Sequence, residues 1–316
     1  MPKQILVAGG TGLVGANLTF KLQDLGIPVV STRHSSSRKI FIENCIKYDF
    51  RIFEDCLEAT TNKKAVVLCA GQSFGAKQNE ANPTGSILPN LQICCGLLEA
   101  CARNSVQTVI LLSSTTVYQP AFYPIREDEL DLNLSPFTGY FGVGWTNRYL
   151  EKLAKLYSKI YKMRVVILRP TSIYGPYDKF DEEGSHVIPA LIKRALERET
   201  PFEVWGSQNV VRDFIYIEDV VSDIIFALMN ESVPAGDPIN LCSGTPMSIK
   251  DVVDIILRIC GHTPRVVFNS DKPSAIPYRA VSDNKYQCYF NDVKRTPFEI
   301  GVKKTVEWFK TTLKKG

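Results

Sequence analysis

No apolar run in the chain approaches the roughly 18 residues that a helix needs to span a bilayer, and the N-terminus leads directly into a strand pattern. The expectation is a cytoplasmic protein with neither signal peptide nor membrane anchor. Metal-type spacing is also missing: nine cysteines (Cys45, Cys56, Cys69, Cys94, Cys95, Cys101, Cys242, Cys260, Cys288) form an odd set without Cys-x-x-Cys or Cys/His ligand patterns. Most lie in apolar stretches and read as small buried hydrophobes in a reducing compartment, so neither a disulfide framework nor a metal site is expected. Clusters of one charge sign are absent too. A net charge of +4, with basic residues scattered among acidic ones, describes a solvated surface rather than a nucleic-acid face. There is no internal repeat, low-complexity tract or linker. What is present is 316 residues, 45% hydrophobic and 22% charged, enough to bury a large core and to build one big domain with a smaller lobe.

Short apolar runs alternate with helical patterns. Strands are expected at 4–8, 28–32, 64–70, 106–113 and 164–169, and helices at 13–25, 87–104 and 144–161. Buried strands separated by helices of this length predict an α/β fold with a doubly wound parallel sheet. Beyond Gly175-Pro176 the pattern loosens, with a helix at 187–197, a strand at 202–205, a return to the sheet at 238–241, a helix at 249–260, a strand at 265–268 and a terminal helix at 303–314. The division expected is a Rossmann domain over 1–174 and 209–245 and a discontinuous, largely C-terminal substrate lobe over 175–208 and 246–316.

Val7-Ala8-Gly9-Gly10-Thr11-Gly12-Leu13-Val14-Gly15 follows the first strand and opens the first helix. Glycines three apart at Gly9, Gly12 and Gly15 permit a tight turn, close approach of a pyrophosphate to backbone N–H groups, and close helix–strand packing. With Thr11, Leu13 and Val14 they form the candidate dinucleotide cradle. The second strand ends in Val30-Ser31-Thr32-Arg33-His34-Ser35-Ser36-Ser37-Arg38, where an NAD-preferring protein would place an acidic residue. Arg33 and Arg38 suit a 2′-phosphate instead, so NADP is preferred and NAD is the alternative.

An ordered set of further motifs carries a resemblance. Asp49-Phe50, Cys69-Ala70-Gly71, Asn90 before Leu97-Leu98-Glu99-Ala100, and Ser113-Ser114-Thr115-Thr116-Val117-Tyr118 come first. Arg169-Pro170-Thr171-Ser172-Ile173-Tyr174-Gly175-Pro176, Ser185-His186-Val187-Ile188-Pro189, Val204-Trp205-Gly206 and Arg212-Asp213-Phe214 follow. Over nearly its whole length the chain resembles the extended short-chain dehydrogenase/reductases of the nucleotide-sugar epimerase/dehydratase type, with a pattern closest to the GDP-L-fucose synthase branch. The resemblance implies cofactor contacts from Asp49, Phe50, Cys69, Ala70, Gly71, Thr171 and Ile173. It also implies a nucleotide-diphosphate sugar as partner, a GDP-sugar being favoured, and a homodimer formed through the two long helices.

In such enzymes a hydride moves between nicotinamide and a sugar carbon, and a tyrosine handles the proton of the neighbouring hydroxyl. A free phenol ionises near pH 10, so a lysine one helical turn later is needed to bring it toward neutrality. Counting back from Gly175-Pro176 places Val143 in the tyrosine slot and Asn147 in the lysine slot; neither can take over the role. Tyr140, one turn earlier, is the candidate substitute, although Gly142 and Gly144 argue against a helix reaching it. Ser114 matches the serine that hydrogen-bonds the reacting oxygen. The family's cysteine–histidine epimerisation pair corresponds to Thr116 and His186, of which only the histidine titrates near neutrality. Arg194, Arg212, Lys272 and Arg279 match positions that hold the sugar nucleotide, where guanidinium forks fit a diphosphate. The residues thus leave two readings: an enzyme with an atypical site, or a catalytically inactive binding protein with a regulatory or scaffolding role.

Overall fold

The structure, a computed structural model, describes residues 4–34, 42, 45–74, 81–180, 185–270, 276–290 and 294–313. Arg38 and Lys272 lie outside the described residues. Seven parallel strands form one sheet. In chain order they are β1 (Gln4–Ala8), β2 (Val29–Arg33), β3 (Cys45–Lys47), β4 (Lys63–Leu68), β5 (Thr108–Leu112), β6 (Arg164–Pro170) and β11 (Ile239–Leu241). Their spatial order is β11-β6-β5-β4-β1-β2-β3, the doubly wound arrangement expected from the alternating pattern. The switch point between β1 and β4 puts the first strand's C-terminal end at the crevice where such sheets bind ligands.

The sheet's two faces are sorted by strand alternation. Leu6, Val66, Val109 and Ile167 point to one side and pack with Leu97, Leu98 and Cys101. That side is covered by α2 (Phe53–Thr60), α3 (Ile87–Arg103) and α4 (Phe141–Tyr161). Ile5, Val7, Ile110 and Val166 point to the other and join a core that also takes in Phe202, Val204 and Val253; α1 (Leu13–Asp24) and α6 (Ile217–Met229) cover it. All nine cysteines are free; Cys56, Cys94, Cys101, Cys242 and Cys260 are buried, whereas Cys288 is exposed. None of the described helices is long and apolar enough to cross a membrane.

Between and after the main strands lie the smaller elements. β7 (Ser172–Tyr174) pairs with β10 (Phe214–Tyr216), β8 (Phe202–Trp205) with β13 (Val266–Asn269), and β9 (Val211–Arg212) lies between β12 (Met247–Ser248) and β14 (Tyr278–Arg279). α5 (Val187–Leu196) packs on α7 (Ile249–Cys260), which in turn meets α9 (Phe298–Leu313); α8 is Asn284–Phe290. Ser248 caps α7 by accepting from the Asp251 amide at 3.1 Å, and Gly261 ends it in the left-handed region.

Two helices start earlier than the sequence pattern indicates. α9 begins at Phe298, five residues ahead of the expected 303, and α4 begins at Phe141, so that it runs through both Gly142 and Gly144. The reason in α4 is close approach. A Cβ on Gly144 would sit 2.7 Å from the Thr116 carbonyl oxygen and 2.6 Å from Pro136 Cβ, and one on Gly142 would sit 2.8 Å from Ile87 Cδ1. These glycines let α4 lie against the Thr116 turn and the start of α3, and the contact outweighs their poor helix propensity of about 1 kcal/mol each.

Candidate active site

The glycine turn is built for a phosphate group. Gly9 has φ +88°, and a Cβ there would lie 2.6 Å from the Ala70 nitrogen, so the end of β4 closes on the turn. Gly15 could carry no Cβ either, because the Gly9 carbonyl oxygen would be 2.2 Å away. Gly12, by contrast, meets only the Gly9 carbonyl oxygen, at 3.4 Å, and leaves its other side open. It is the N-cap of α1 and provides no side-chain cap, so the first-turn amides of Leu13, Val14 and Gly15 face an open side at the positive end of the helix. That arrangement fits a dinucleotide pyrophosphate. Two features not singled out from sequence hold the turn: Thr32 Oγ1 accepts from the Gly9 amide at 3.0 Å while its carbonyl accepts from Gly10 at 2.7 Å, and Gly10 is a glycine because Ser31 Oγ fills its Cβ position.

At the adenosine side, Arg33 and His34 are exposed at the end of β2. Asp49 does not present a free carboxylate: Arg51 donates to it through Nε at 2.8 Å and Nη2 at 2.6 Å. These bonds hold the Asp49 carboxyl well below the usual carboxylate range. Phe50 is buried in the core. Across the cradle, Asn90 of α3 clamps the loop after β4, accepting from the Gln72 amide at 2.7 Å and donating to the Gln72 carbonyl at 3.1 Å. Gly71 faces Asn90 in this clamp, and Cys69 continues the β1 pairing through its amide. Thr171 points away from any cofactor role for its hydroxyl, which donates to buried Asp213 at 2.8 Å. Ile173 is half-buried in β7 and pairs with Ile215.

The turn after β5 carries Ser114 and Thr116. Ser114 Oγ accepts from the Thr116 amide at 3.2 Å and so caps this turn, while its hydroxyl hydrogen is left to donate elsewhere. Thr116 Oγ1 accepts from Asn147 Nδ2 at 3.4 Å, which sets Asn147 on the α4 face that addresses the turn. Val143 is half-buried one turn before it, and Tyr140, the N-cap residue of α4, one turn before that. Since the helix continues through the glycines, the spacing places Tyr140, Val143 and Asn147 on one face. Arg148, buried and missed from sequence, braces the turn by donating to the Val117 and Leu134 carbonyls, both at 2.6 Å.

Beneath this turn lies a buried polar network. Glu151 accepts from Ser113 Oγ at 2.5 Å and from Arg169 Nε and Nη2 at 2.8 and 2.7 Å; Arg169 Nη1 donates to Tyr118, which donates to Asn240 at 2.7 Å. Burial alone would pull the Arg169 guanidinium down, but its Glu151 hydrogen bonds hold it above its ordinary value. The network ties the C-terminal ends of β5, β6 and β11 together, the edge on which the site stands.

Facing Tyr140 are two arginines. Arg279 stacks on the Tyr140 ring with its guanidinium carbon 5.1 Å from the centroid, and in the β14–β9 ladder it sits directly opposite Arg212. Arg212 is buried, and burial, then the Arg279 charge, pushes its guanidinium down to about 10. Arg212 Nη2 and Arg279 Nε have no hydrogen-bond partner, and among the described residues neither arginine has a salt bridge to a carboxylate. Two cations held together this way could hold an anionic ligand. A small cavity opens beside them, with Thr116, Tyr118, Phe137, Tyr140, Tyr278 and Arg279 in its wall.

Arg194 is placed otherwise than the sequence reading expects. Its guanidinium forks onto Glu199, with both bonds at 2.5 Å, donates to the Glu203 carbonyl and stacks on Phe202. It staples α5 to β8, and these bonds occupy the fork that the sequence pattern assigns to the sugar nucleotide. His186, at the N-cap of α5, lies between two partners: Nδ1 is 3.0 Å from buried Asp178, and Nε2 is 3.2 Å from Ser73 Oγ on the loop after β4.

Comparison with known proteins identifies the family. Residues 5–242 match the model of the NAD dependent epimerase/dehydratase family. The chain is 29% identical over 315 residues to the GDP-L-fucose synthase of Sinorhizobium fredii, covering 97% of this chain and 95% of that one. It is 28% identical over 319 residues to the GDP-L-colitose synthase of Yersinia pseudotuberculosis, covering 97% of each. Among solved structures, the UDP-glucose 4-epimerase of Thermotoga maritima superposes with a TM-score of 0.86 at 22% identity, covering 98% of this chain and 99% of that one. The sheet order, the uncapped glycine cradle and a family match spanning most of the chain lead to one assignment: this protein belongs to the NAD dependent epimerase/dehydratase family, the nucleotide-sugar branch of the extended short-chain dehydrogenase/reductases.

Proposed function

We propose that the chain is an NADP(H)-dependent enzyme acting on a nucleotide-diphosphate sugar, with a GDP-linked 4-keto sugar as the favoured substrate class. The observation that carries this reading is the Arg212–Arg279 pair. Its unpartnered N–H groups sit beside the Tyr140 ring, and a diphosphate would supply the missing acceptors. A bound nicotinamide dinucleotide supplies hydride-transfer chemistry. Gly9, Thr11, Gly12, Leu13, Val14 and Gly15 hold its phosphates in this reading. The exposed basic end of β2, with Asp49 already engaged by Arg51, favours NADP over NAD.

The chain's own residues divide the proton work. Ser114 holds a reacting oxygen through its free hydroxyl hydrogen, and Tyr140, flanked by the two guanidinium groups, occupies the face of α4 from which a phenol is missing at Val143. His186 is the titratable imidazole of the cleft, and Thr116 relays a proton by way of water. Exposed Leu88 of α3 with Trp145, Tyr149, Leu156 and Ile160 of α4 supports a homodimer through these helices, and the free cysteines support a reducing, cytoplasmic setting.

A second reading rests on Val143 and Asn147: a protein that binds dinucleotide and sugar nucleotide without turnover. Purified protein is assayed for carried nucleotides and then for absorbance change at the reduced-nicotinamide band with GDP-linked 4-keto sugars. Turnover that falls by about 10²- to 10⁴-fold in Tyr140→Phe or His186→Ala supports the enzyme. Carried nucleotides with no turnover, restored by Val143→Tyr plus Asn147→Lys, establish the binding protein instead.

A further inference from the structure

The contacts of His186 define more than its presence in the cleft. Its two ring nitrogens are engaged by partners from opposite walls. Nδ1 faces Asp178, at 3.0 Å from Oδ1 and 3.3 Å from Oδ2, and Nε2 faces Ser73 Oγ at 3.2 Å. Asp178 is fully buried, with a side chain 1% exposed, whereas that of His186 is 35% exposed. The carboxylate is itself fixed, since Oδ1 also accepts from the Lys179 amide at 2.7 Å. Lys179 extends to the Ser73 carbonyl at 3.2 Å, and Ser185, next to His186, donates to the Lys179 carbonyl at 2.6 Å. Two contacts, from Lys179 and from His186, therefore reach Ser73 on the loop that follows β4 and closes on the glycine turn.

We propose that Asp178 is the positioning residue of the site: it holds the His186 proton on Nδ1 and thereby presents the Nε2 lone pair to the substrate side of the cleft, where Ser73 Oγ–H occupies it at rest. A carboxylate can only accept, so the ring nitrogen facing it must be the donor; a neutral imidazole then has its other nitrogen free as a base. The exposed part of the ring is where a substrate displaces Ser73. Next to a ketone, Nε2 takes a proton from the adjacent carbon: the C–H bond breaks, its electron pair passes to the carbonyl oxygen to give an enolate, and the imidazolium formed is neutralised by Asp178. Returning the proton, or a solvent hydrogen after exchange, reverses each step. No oxidant or reductant takes part. The proposal rests on the reading of His186 as the cleft's titratable group, and it names what makes that group a base on one defined nitrogen.

The test separates the two. The chain has three histidines, His34, His186 and His262, so ¹⁵N-histidine labelling gives a short spectrum in which His186→Gln identifies the His186 signals by their loss. The wild-type protein with its ring neutral is expected to show hydrogen on Nδ1 and none on Nε2. Asp178→Asn keeps an acceptor for the Lys179 amide but offers an N–H₂ group to the ring, and the single tautomer is expected to be lost. In deuterium oxide, wash-in at the carbons flanking the carbonyl of a GDP-linked 4-keto-6-deoxyhexose should fall by about 10²- to 10⁴-fold in Asp178→Asn, with GDP affinity changed less than about threefold. A wild-type ring protonated on Nε2, or an Asp178→Asn protein with tautomer and wash-in unchanged, overturns the proposal. The expected tautomers without wash-in in the wild type leave Asp178's positioning standing and remove the 4-keto-sugar reading.

Discussion

Replacing Arg212 by methionine should stabilise the empty protein and weaken its hold on a diphosphate. The guanidinium is pushed down to about 10, well below its ordinary value, because burial disfavours the cation and Arg279 repels it. At about 1.4 kcal/mol per tenfold change, the fold carries this charge at a cost on the order of 3 kcal/mol. The group is mostly buried, so solvent does little to screen that cost. A folded pKa below the unfolded one makes the penalty fully present at every pH under about 10 and removes it only as pH climbs from there toward the ordinary guanidinium range, so it is constant across the neutral range. Arg212→Met removes the penalty but orphans the Val211 carbonyl, which accepts from Nη1 at 2.7 Å; that loss costs about 1 kcal/mol. The net expectation is a gain of about 2 kcal/mol in urea unfolding without nucleotide. With GDP at a hundredfold excess over Kd, the wild type should gain about 2.7 kcal/mol, and at the same GDP concentration the variant should gain far less. An Arg212→Met protein that is less stable when empty and still gains the full increment from GDP would refute the anion-clamp argument.

Removing one member of the Glu151–Arg169 pair, by Glu151→Gln or Arg169→Met, should cost about 3 to 5 kcal/mol in urea unfolding, because a buried charge is left alone; Glu151→Leu with Arg169→Met should recover most of it. Gly144→Ala gains about 1 kcal/mol of helix propensity but drives a methyl into the Thr116 carbonyl and Pro136. Overpacking of about 1 to 3 kcal/mol should win, which a lowered thermal midpoint would show. Arg33→Glu should raise the Kd for NADP at least tenfold relative to that for NAD in a calorimetric titration, since a charge-assisted hydrogen bond is worth about 1.5 to 3 kcal/mol.

What the sequence shows and what it hides follow from the range of the forces involved. The sheet was legible because central parallel strands are buried on both faces and must be apolar throughout, as Leu6-Val7-Ala8 and Val165-Val166-Ile167-Leu168 are. The glycine cradle was legible because its requirement is local, a turn whose atoms leave no room for Cβ. Gly142 and Gly144 misled for the opposite reason: their local propensity speaks against a helix, while the need that retains them lies in Thr116, Pro136 and Ile87, distant in sequence and pressed against α4 by the fold. The same distinction separates the arginines. Arg194 and Arg212 carry the same functional group, yet Arg194 finds Glu199 five residues away and becomes a staple, whereas Arg212, bonded to its neighbour's carbonyl, faces another guanidinium across the β9–β14 register. No residue type or spacing records which of the two is left without a carboxylate. His186 shows the limit most clearly, because its chemistry depends on which nitrogen carries hydrogen. That is decided by Asp178, eight residues earlier with no periodic relation to it, and by Ser73, 113 residues away. A residue's capacity for proton transfer is thus written in its side chain, while its assignment to one role is made by partners that only the folded chain brings within hydrogen-bond reach.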